Sequence, residues 1–434
     1  MFSNINKIDK NTYKFRLAPL HVSYANALRR IITSHVETIG FRADMTDKGT
    51  TTDVLVTKND TPMSNEMLAE RIGLLPINVT NPLEFNSNKY QFTLKVENTT
   101  ADLLDIKASN FTVTDKESGE VVPTEKFFPP DYRSGDTSLI AILRPSSYLQ
   151  GINLKKQTGG EKKGEQIEIY ATASLGNGRD HCRFSPVSCC TFPYTRDEDP
   201  AKVDYIFRQW LLREKKIVYE SMEKDKEQIL RREFNTMAIA RSFLQNTKNE
   251  PYSYDITIES VGILDIEYIV DRACELGKDI FMPFAAIDSG SELPDFITIS
   301  PTVKEMVGFD LHLRDRDAHT VGNSLQTWIV DNIIDGADGV NDDMQITFVG
   351  YDEGHPLDNT MIISIGISNG NESNARKAIA MAARGCVNIF QNLQNEWRSA
   401  IGTSESTLLQ TTSSILTDKP KRKVLIKRKD TVVE

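Results

Sequence analysis

The chain has 434 residues, enough for two or three domains, and its 39% apolar and 26% charged residues are the proportions of a globular protein. No run of eighteen apolar residues is present to span a membrane as a helix. The balance of 51 basic against 61 acidic residues, net -10, argues against a chain whose main work is gripping nucleic acid.

The first residues, MFSNINK, carry no basic region leading into an apolar core, so no secretion signal is expected. Five unevenly spaced cysteines fit a reducing, intracellular compartment better than a disulfide framework. Residues 13–17 alternate as a short strand and lead into a helix. There Ala25, Leu28, Ile32, Val36 and Ile39 recur at steps of three and four and share one face. Ser23 precedes this stripe and is the expected cap. Arg29 borders the apolar face and Arg30 points away from it.

Residues 52–57 read as a strand. Residues 62–76 read as a short helix broken at Gly73, with a strand around Ile77. Segments 90–96, 111–113, 140–143 and 167–173 predict strands of a mainly β unit, and the polar stretch 155–164 a hairpin tip or loop. Residues 203–245 lack Gly and Pro and are rich in long charged and apolar side chains, which predicts one or two exposed helices. Residues 255–262 return to strand. Ile266, Ile269, Ala273, Leu276 and Ile280 then mark a second amphipathic helix, and residues 289–294 a linker.

Beyond the linker the order repeats. Residues 309–313 predict a strand, residues 319–332 a helix, and residues 345–349 and 361–367 a β-pair. A long helix follows with Ala375, Ala382, Cys386, Ile389, Leu393 and Trp397 on one face. Residues 403–434 lose periodicity, fill with Ser, Thr and Lys, and are expected to be disordered. The two halves share more than order. Ala25-Asn26-Ala27-Leu28 aligns with Gly322-Asn323-Ser324-Leu325, and Ile32 with Ile329, which suggests two alike units packed within one polypeptide.

At these motifs the chain resembles the α-like assembly subunits of multisubunit RNA polymerases. The first half is similar to the third-subunit or archaeal D-like members in four stretches: ANALRR at 25–30, MSNEMLAERIGLLP at 63–76, DHCRFSPV at 180–187 and IESVG at 258–262. The second half is similar to the eleventh-subunit or L-like members at DAHTVGN, 317–323, and GYDEGHPL, 350–357. The resemblance implies an α+β fold of two α-like dimerisation units packed as an intramolecular pseudo-dimer, the first interrupted by a β-rich insert. The expected domains are 1–50 plus 250–285 for the first unit, 51–203 for the insert and 204–249 for a helical insertion. A linker at 286–302, the second unit at 303–402 and a basic tail at 403–434 complete the chain. Both subunits on one chain is an arrangement that resembles large DNA viruses of eukaryotes.

The implied function is a non-catalytic scaffold that joins two α-like subunits and docks the large catalytic polymerase subunits and small zinc-type subunits. DNA would be met only through the assembled complex, and neither a homo-oligomer nor a cofactor is expected. The virion or host cytoplasm is the implied location, with the Lys/Arg tail as a candidate nuclear signal. No clustered acidic triad able to hold two magnesium ions stands out, which leaves nucleotidyl transfer to a partner. The alternative is a DNA-associated transcription factor acting through the basic tail.

Candidate partner-facing residues are Asn26, Leu28, Arg29, Arg30, Arg71, Gly73, His319, Thr320, Gly322, Asn323, His355 and Pro356. The expected internal core is Ala25, Ile32, Val36, Leu325, Trp328, Ile329, Ala382, Ile389 and Leu393. Arg29 and Arg30 suit bidentate bonds to a partner's carboxylates better than phosphate, given the acidic balance. His181, Cys182, Cys189 and Cys190 lack paired zinc spacing, and Cys182 is expected to be a small buried residue. The family's zinc cluster in the insert has no cysteines here near 82–94. His319 beside Asp317, and His355 beside Asp358, lack a nearby activated nucleophile, so His319 reads as turn and cap chemistry.

Overall fold

The computed structural model describes residues 1–45, 53–131, 133–145, 164–288, 293–314, 317–337, 339–354 and 360–402. Strands β1 (Phe2–Asp9) and β2 (Thr12–Leu17) form a hairpin ahead of helix α1 (Val22–Ser34). β1 was not expected from its pattern, because its apolar residues do not alternate. The cap of α1 is His21 rather than Ser23: the imidazole accepts the Ser23 N–H. This frees the Ser23 hydroxyl, which is buried and meets Thr327 Oγ1 at 2.8 Å. The helix ends before the stripe does. Val36 stays in the main core, while Ile39 lies on β3 (Glu37–Gly40) and joins the core of the next unit.

That unit contains β4 (Val54–Asn59), α2 (Asn65–Gly73), β5 (Tyr90–Glu97), β6 (Leu104–Lys107), β7 (Thr112–Asp115), β8 (Val121–Val122), β9 (Leu139–Leu143) and β10 (Gln166–Ala171). A five-stranded antiparallel sheet runs β4-β10-β5-β7-β8, and β6 pairs with β9. Their core holds Phe41, Leu68, Ile72, Phe92, Phe128 and Ile169. Ile77 is buried there without forming a strand, since the prolines at 76 and 82 remove ladder donors on either side. β11 (Ser174–Asn177) returns along β3 and forms the stem of the unit.

After β12 (Val187–Thr191) come α3 (Pro200–Trp210) and α4 (Lys224–Met237). Asp199 caps α3 by accepting the Ala201 N–H, with Pro200 at the first helical position. The pair has a small core of its own, Phe207, Trp210, Leu211, Leu230, Phe234 and Ala238. Backbone bonds join its two ends, Leu244 N–H to Thr195 O at 3.0 Å and Asp197 N–H to Ser242 O at 3.2 Å.

β13 (Tyr254–Ser260) completes a four-stranded sheet, β1-β2-β13-β12, and α5 (Ile266–Phe281) follows. The remaining elements are β14 (Ile297–Pro301), β15 (Gly308–Arg314), α6 (Asn323–Ile329), β16 (Ile346–Glu353), β17 (Thr360–Ile367) and α7 (Glu372–Ala400). A second four-stranded antiparallel sheet runs β14-β15-β17-β16. α6 is regular for two turns only; wider i→i+5 turns extend it at 318–322 and 330–334. One hydrophobic core draws on both four-stranded sheets and on α1, α5, α6 and α7. Phe15, Leu28, Ile256 and Ile269 from the front share it with Leu325, Ile363, Phe390 and Leu393 from the back.

Candidate assembly surface

α1 lies against the 317–329 segment, and charge complements packing there. The Arg30 guanidinium grips Asp317 with two nitrogens, Nε to Oδ2 at 3.0 Å and Nη2 to Oδ1 at 2.9 Å. The Thr320 hydroxyl donates to the same carboxylate at 2.6 Å. The backbone N–H groups of His319 and Thr320 point at Asp317 Oδ1 from 3.2 and 3.3 Å, so Asp317 is the cap of this helix. Burial pushes the Asp317 carboxyl up, but the Thr320 bond and the Arg30 charge together hold it below the ordinary carboxylate value. Beside the cap, His319 Nδ1 is 3.3 Å from the Tyr351 hydroxyl and Nε2 is 3.2 Å from Glu353. Gly322 sits beneath the Tyr351 ring, where a Cβ would meet Cγ at 2.7 Å.

A second set of contacts runs along α5 and α7. Gly277 faces the Phe390 ring and Gly385 faces Trp328; a Cβ at either would lie within 2.3 Å of a ring atom. Around these close approaches, Lys278 Nζ donates to Gln391 and Gln394 at 2.9 and 2.8 Å. Arg398 clasps Asp271 through Nε at 2.6 Å and Nη2 at 3.0 Å. The Trp397 indole N–H donates to the Glu267 carbonyl at 3.0 Å. Lys248, after α4, reaches Asp331 and Asp335 at 3.2 and 3.3 Å.

The sequence-predicted positions fall into three groups. Ala25, Ile32, Val36, Leu325, Ile329, Ala382 and Leu393 are buried in the common core, with Trp328 and Ile389 half-buried at its margin. Asn26, Arg29 and Asn323 are half-exposed, and His319 and Arg71 are exposed. Leu28 and Thr320 are each 1% exposed, and Gly73 and Gly322 are buried, so none of the four presents a contact surface of its own. Arg30, expected to point outward to a partner, is engaged inside the chain by Asp317. Arg29 donates to Asn26 one turn back at 3.0 Å. His355 and Pro356 lie outside the described residues.

Arg71 and Gly73 have local tasks. Arg71 Nε donates to the Ile140 carbonyl at 2.8 Å, which ties α2 to β9. Gly73 leaves room for Arg183, whose Nη1 would lie 2.5 Å from a Cβ there. The Arg183 side chain is 1% exposed, donates to the Phe41 carbonyl at 3.0 Å and pairs with Glu70 at 3.1 Å. Arg183 and the Asp271–Arg398 pair were missed in the sequence; Arg183 stood inside a recognised motif, whereas the pair had no local signal. Cys182, expected to be buried, is exposed, and Cys190 is the buried one. Among the described residues no three His, Cys, Asp or Glu side chains gather in a geometry able to hold a metal ion, and no helix is long and apolar enough to cross a membrane.

No protein-family model matches the chain. It is 23% identical over 309 residues to subunit 3 of the DNA-directed RNA polymerases II, IV and V of Arabidopsis thaliana, covering 63% of this chain and 87% of that one. It is 24% identical over 275 residues to the RNA polymerase subunit Rpo3 of Pyrococcus furiosus, covering 62% and 89%. A third match, 29% identical over 205 residues, is subunit RPAC1 of the RNA polymerases I and III of Saccharomyces cerevisiae and spans 44% of this chain and 55% of that protein. The homologues are α-like subunits of RNA polymerases.

Proposed function

We propose that this chain is a non-catalytic assembly subunit of a multisubunit DNA-directed RNA polymerase, carrying two α-like units in one polypeptide. The observation that carries the reading is the common core. Helices α1 and α5 from the front and α6 and α7 from the back bury their apolar faces in one another, a contact that two separate subunits would make between chains. Homology to α-like polymerase subunits supports the scaffold role. In this reading residues 51–203 form an insert on the first unit, residues 204–249 a helical insertion, and residues 303–402 the second unit.

The work of such a subunit is geometric. The core and the Arg30–Asp317 pair hold two sheets at a fixed angle, and the half-exposed Asn26, Arg29, Asn323 and His319 at the seam border the surface that the large catalytic subunits would meet. A rigid platform lowers the ordering cost of docking, because its contact groups are already in place. The chain would therefore operate wherever in the cell or virion that polymerase is assembled, and would touch DNA only through it.

The test is affinity purification of the tagged full chain from its source. Two very large polymerase subunits should co-purify in equal amounts with it and remain after nuclease treatment. Recovery of DNA alone, lost on nuclease treatment, would favour a factor acting through the basic tail instead.

A further inference from the structure

Helices α3 and α4 stand apart from both larger cores and pack on each other through Phe207, Trp210, Leu230 and Phe234. Their own charges staple them. Arg231 donates to Asp204 at 2.5 Å and to Glu227 at 2.8 Å and lies over the Phe207 ring. Arg208 donates to Asp204 at 2.8 Å and lies over the Tyr219 ring. A wider turn, Leu211–Lys215, carries α3 onward. There Lys215 pairs with Glu233, and Arg241 with Glu214 at 3.1 Å, which brings the far ends of the two helices together.

What these internal contacts leave over gathers along α3 and at its end. Tyr205 and Leu212, seven positions apart and so on one line of the helix, are 63% and 51% exposed. Met237 is 77% exposed and lies four positions from both Glu233 and Arg241, hence beside the same end of α3. Arg213 and Lys216, next to Leu212, are exposed as well, and among the described residues neither side chain pairs with a carboxylate. The stapling cations Arg208, Lys215, Arg231 and Arg241 each have one. Single exposed apolar residues need no explanation, but three at one end of a helix pair with two unspent cations among them mark an interaction surface.

We propose that this surface docks an acidic, apolar segment of another polymerase subunit, which covers Tyr205, Leu212 and Met237 and sets carboxylates on Arg213 and Lys216. Anchors seven positions apart are the spacing of a helix laid along a partner's groove. Charge decides what lies in that groove: two free cations favour Asp or Glu, with the guanidinium of Arg213 able to take a carboxylate by two nitrogens. The chain's own tail is basic over residues 419–429 and would be repelled. Nucleic acid fits less well, since leucine and methionine offer no ring for a base to stack on. The inference rests on the assembly reading above and adds to it a face and the chemistry of what covers it.

The test uses the full chain, free and in its co-purified complex. A photo-crosslinking residue in place of Leu212 should join a peptide of a different polymerase subunit that carries Asp or Glu among apolar residues. Arg213→Gln with Lys216→Gln should weaken retention of that subunit about tenfold and flatten its loss with added salt. Tyr205→Ser with Leu212→Ser should weaken retention without changing the salt dependence. All four positions are exposed, so both free variants should melt within about 2 °C of wild type. A larger fall would assign these side chains to the fold of the helix pair and overturn the proposal. So would a crosslink to nucleic acid, to a second copy of this chain or to its residues 403–434, a crosslinked peptide without acidic residues, or equal retention by wild type and variants. If the large subunits co-purify and nothing is crosslinked from position 212, this inference fails alone. If no large subunit co-purifies with the wild type, the assembly reading fails with it.

Discussion

At the scale of single residues, the seam is decided by groups whose partners lie far away in sequence. Arg30→Ala leaves Asp317 without its cation at a side chain only 14% exposed, and should cost about 1–3 kcal/mol in denaturant melts. Asp317→Ala should cost a similar amount, and the double variant less than the sum, because each single change strands the other partner. Acid should act at two points. Burial, helped by Arg179 and Arg30, pulls His35 below its ordinary 6.5, so the fold holds it neutral. That contribution is complete above pH 6.5 and is lost as pH falls below it, and His35→Gln should flatten this first stretch of a stability-against-pH curve. The depressed Asp317 contributes above its ordinary 3.8 and is lost only as pH falls further, so Asp317→Asn should remove the second stretch, and it should also pull His35 lower still, because the Asp317 charge opposes the depression of His35. The sequence singled out Arg30 but not the group it faces. Helical spacing places a residue on a face, while the identity of the opposing group depends on a strand and a turn 287 positions away.

At the scale of elements, the close helix crossings depend on two glycines. Gly277→Ala would drive a Cβ into Phe390 in a packed interior, and Gly385→Ala would drive one into the half-buried Trp328 indole at the margin of the core. Each should destabilise by about 1–3 kcal/mol in thermal or denaturant melts. Trp328→Leu should recover part of the Gly385→Ala loss, since it withdraws the ring, and should do nothing for Gly277→Ala. Periodicity was a sound guide to α1, α5 and α7, whose apolar stripes bury as spacing predicts. It was less sound where another force took over. The α1 stripe ran on to Ile39, but the chain leaves the helix after Ser34 because Ile39 is needed in the core of the adjoining unit. β14 went unread because it opens directly from the linker, and its alternation, Ile297 and Ile299 inward with Thr298 and Ser300 outward, spans too few residues to stand out.

At the scale of the whole molecule, front and back halves are bound by a core that neither encloses alone. Leu28, Ile32 and Ile269 would face water without the back half, and Leu325, Ile329 and Leu393 without the front. Each such side chain contributes roughly 1.5–3 kcal/mol when fully buried, so a divided core removes more than a typical domain's net stability. Residues 1–288 and 293–434 expressed separately should therefore be insoluble or molten, and together in one cell should form a soluble one-to-one complex. Charge placed in the seam should act on both halves at once. Leu325→Asp strands a carboxylate in an interior that is 0% exposed, and Leu28→Asp does the same from the other side. In either variant, hydrogen exchange should speed up in α1 and α5 as much as in α6 and α7, while the separate aromatic core around Phe92 and Phe128 keeps its protection. If Leu325→Asp loosened only the back half and left the exchange of α1 unchanged, the two halves would be folding independently, and the common core could not be what holds the platform rigid.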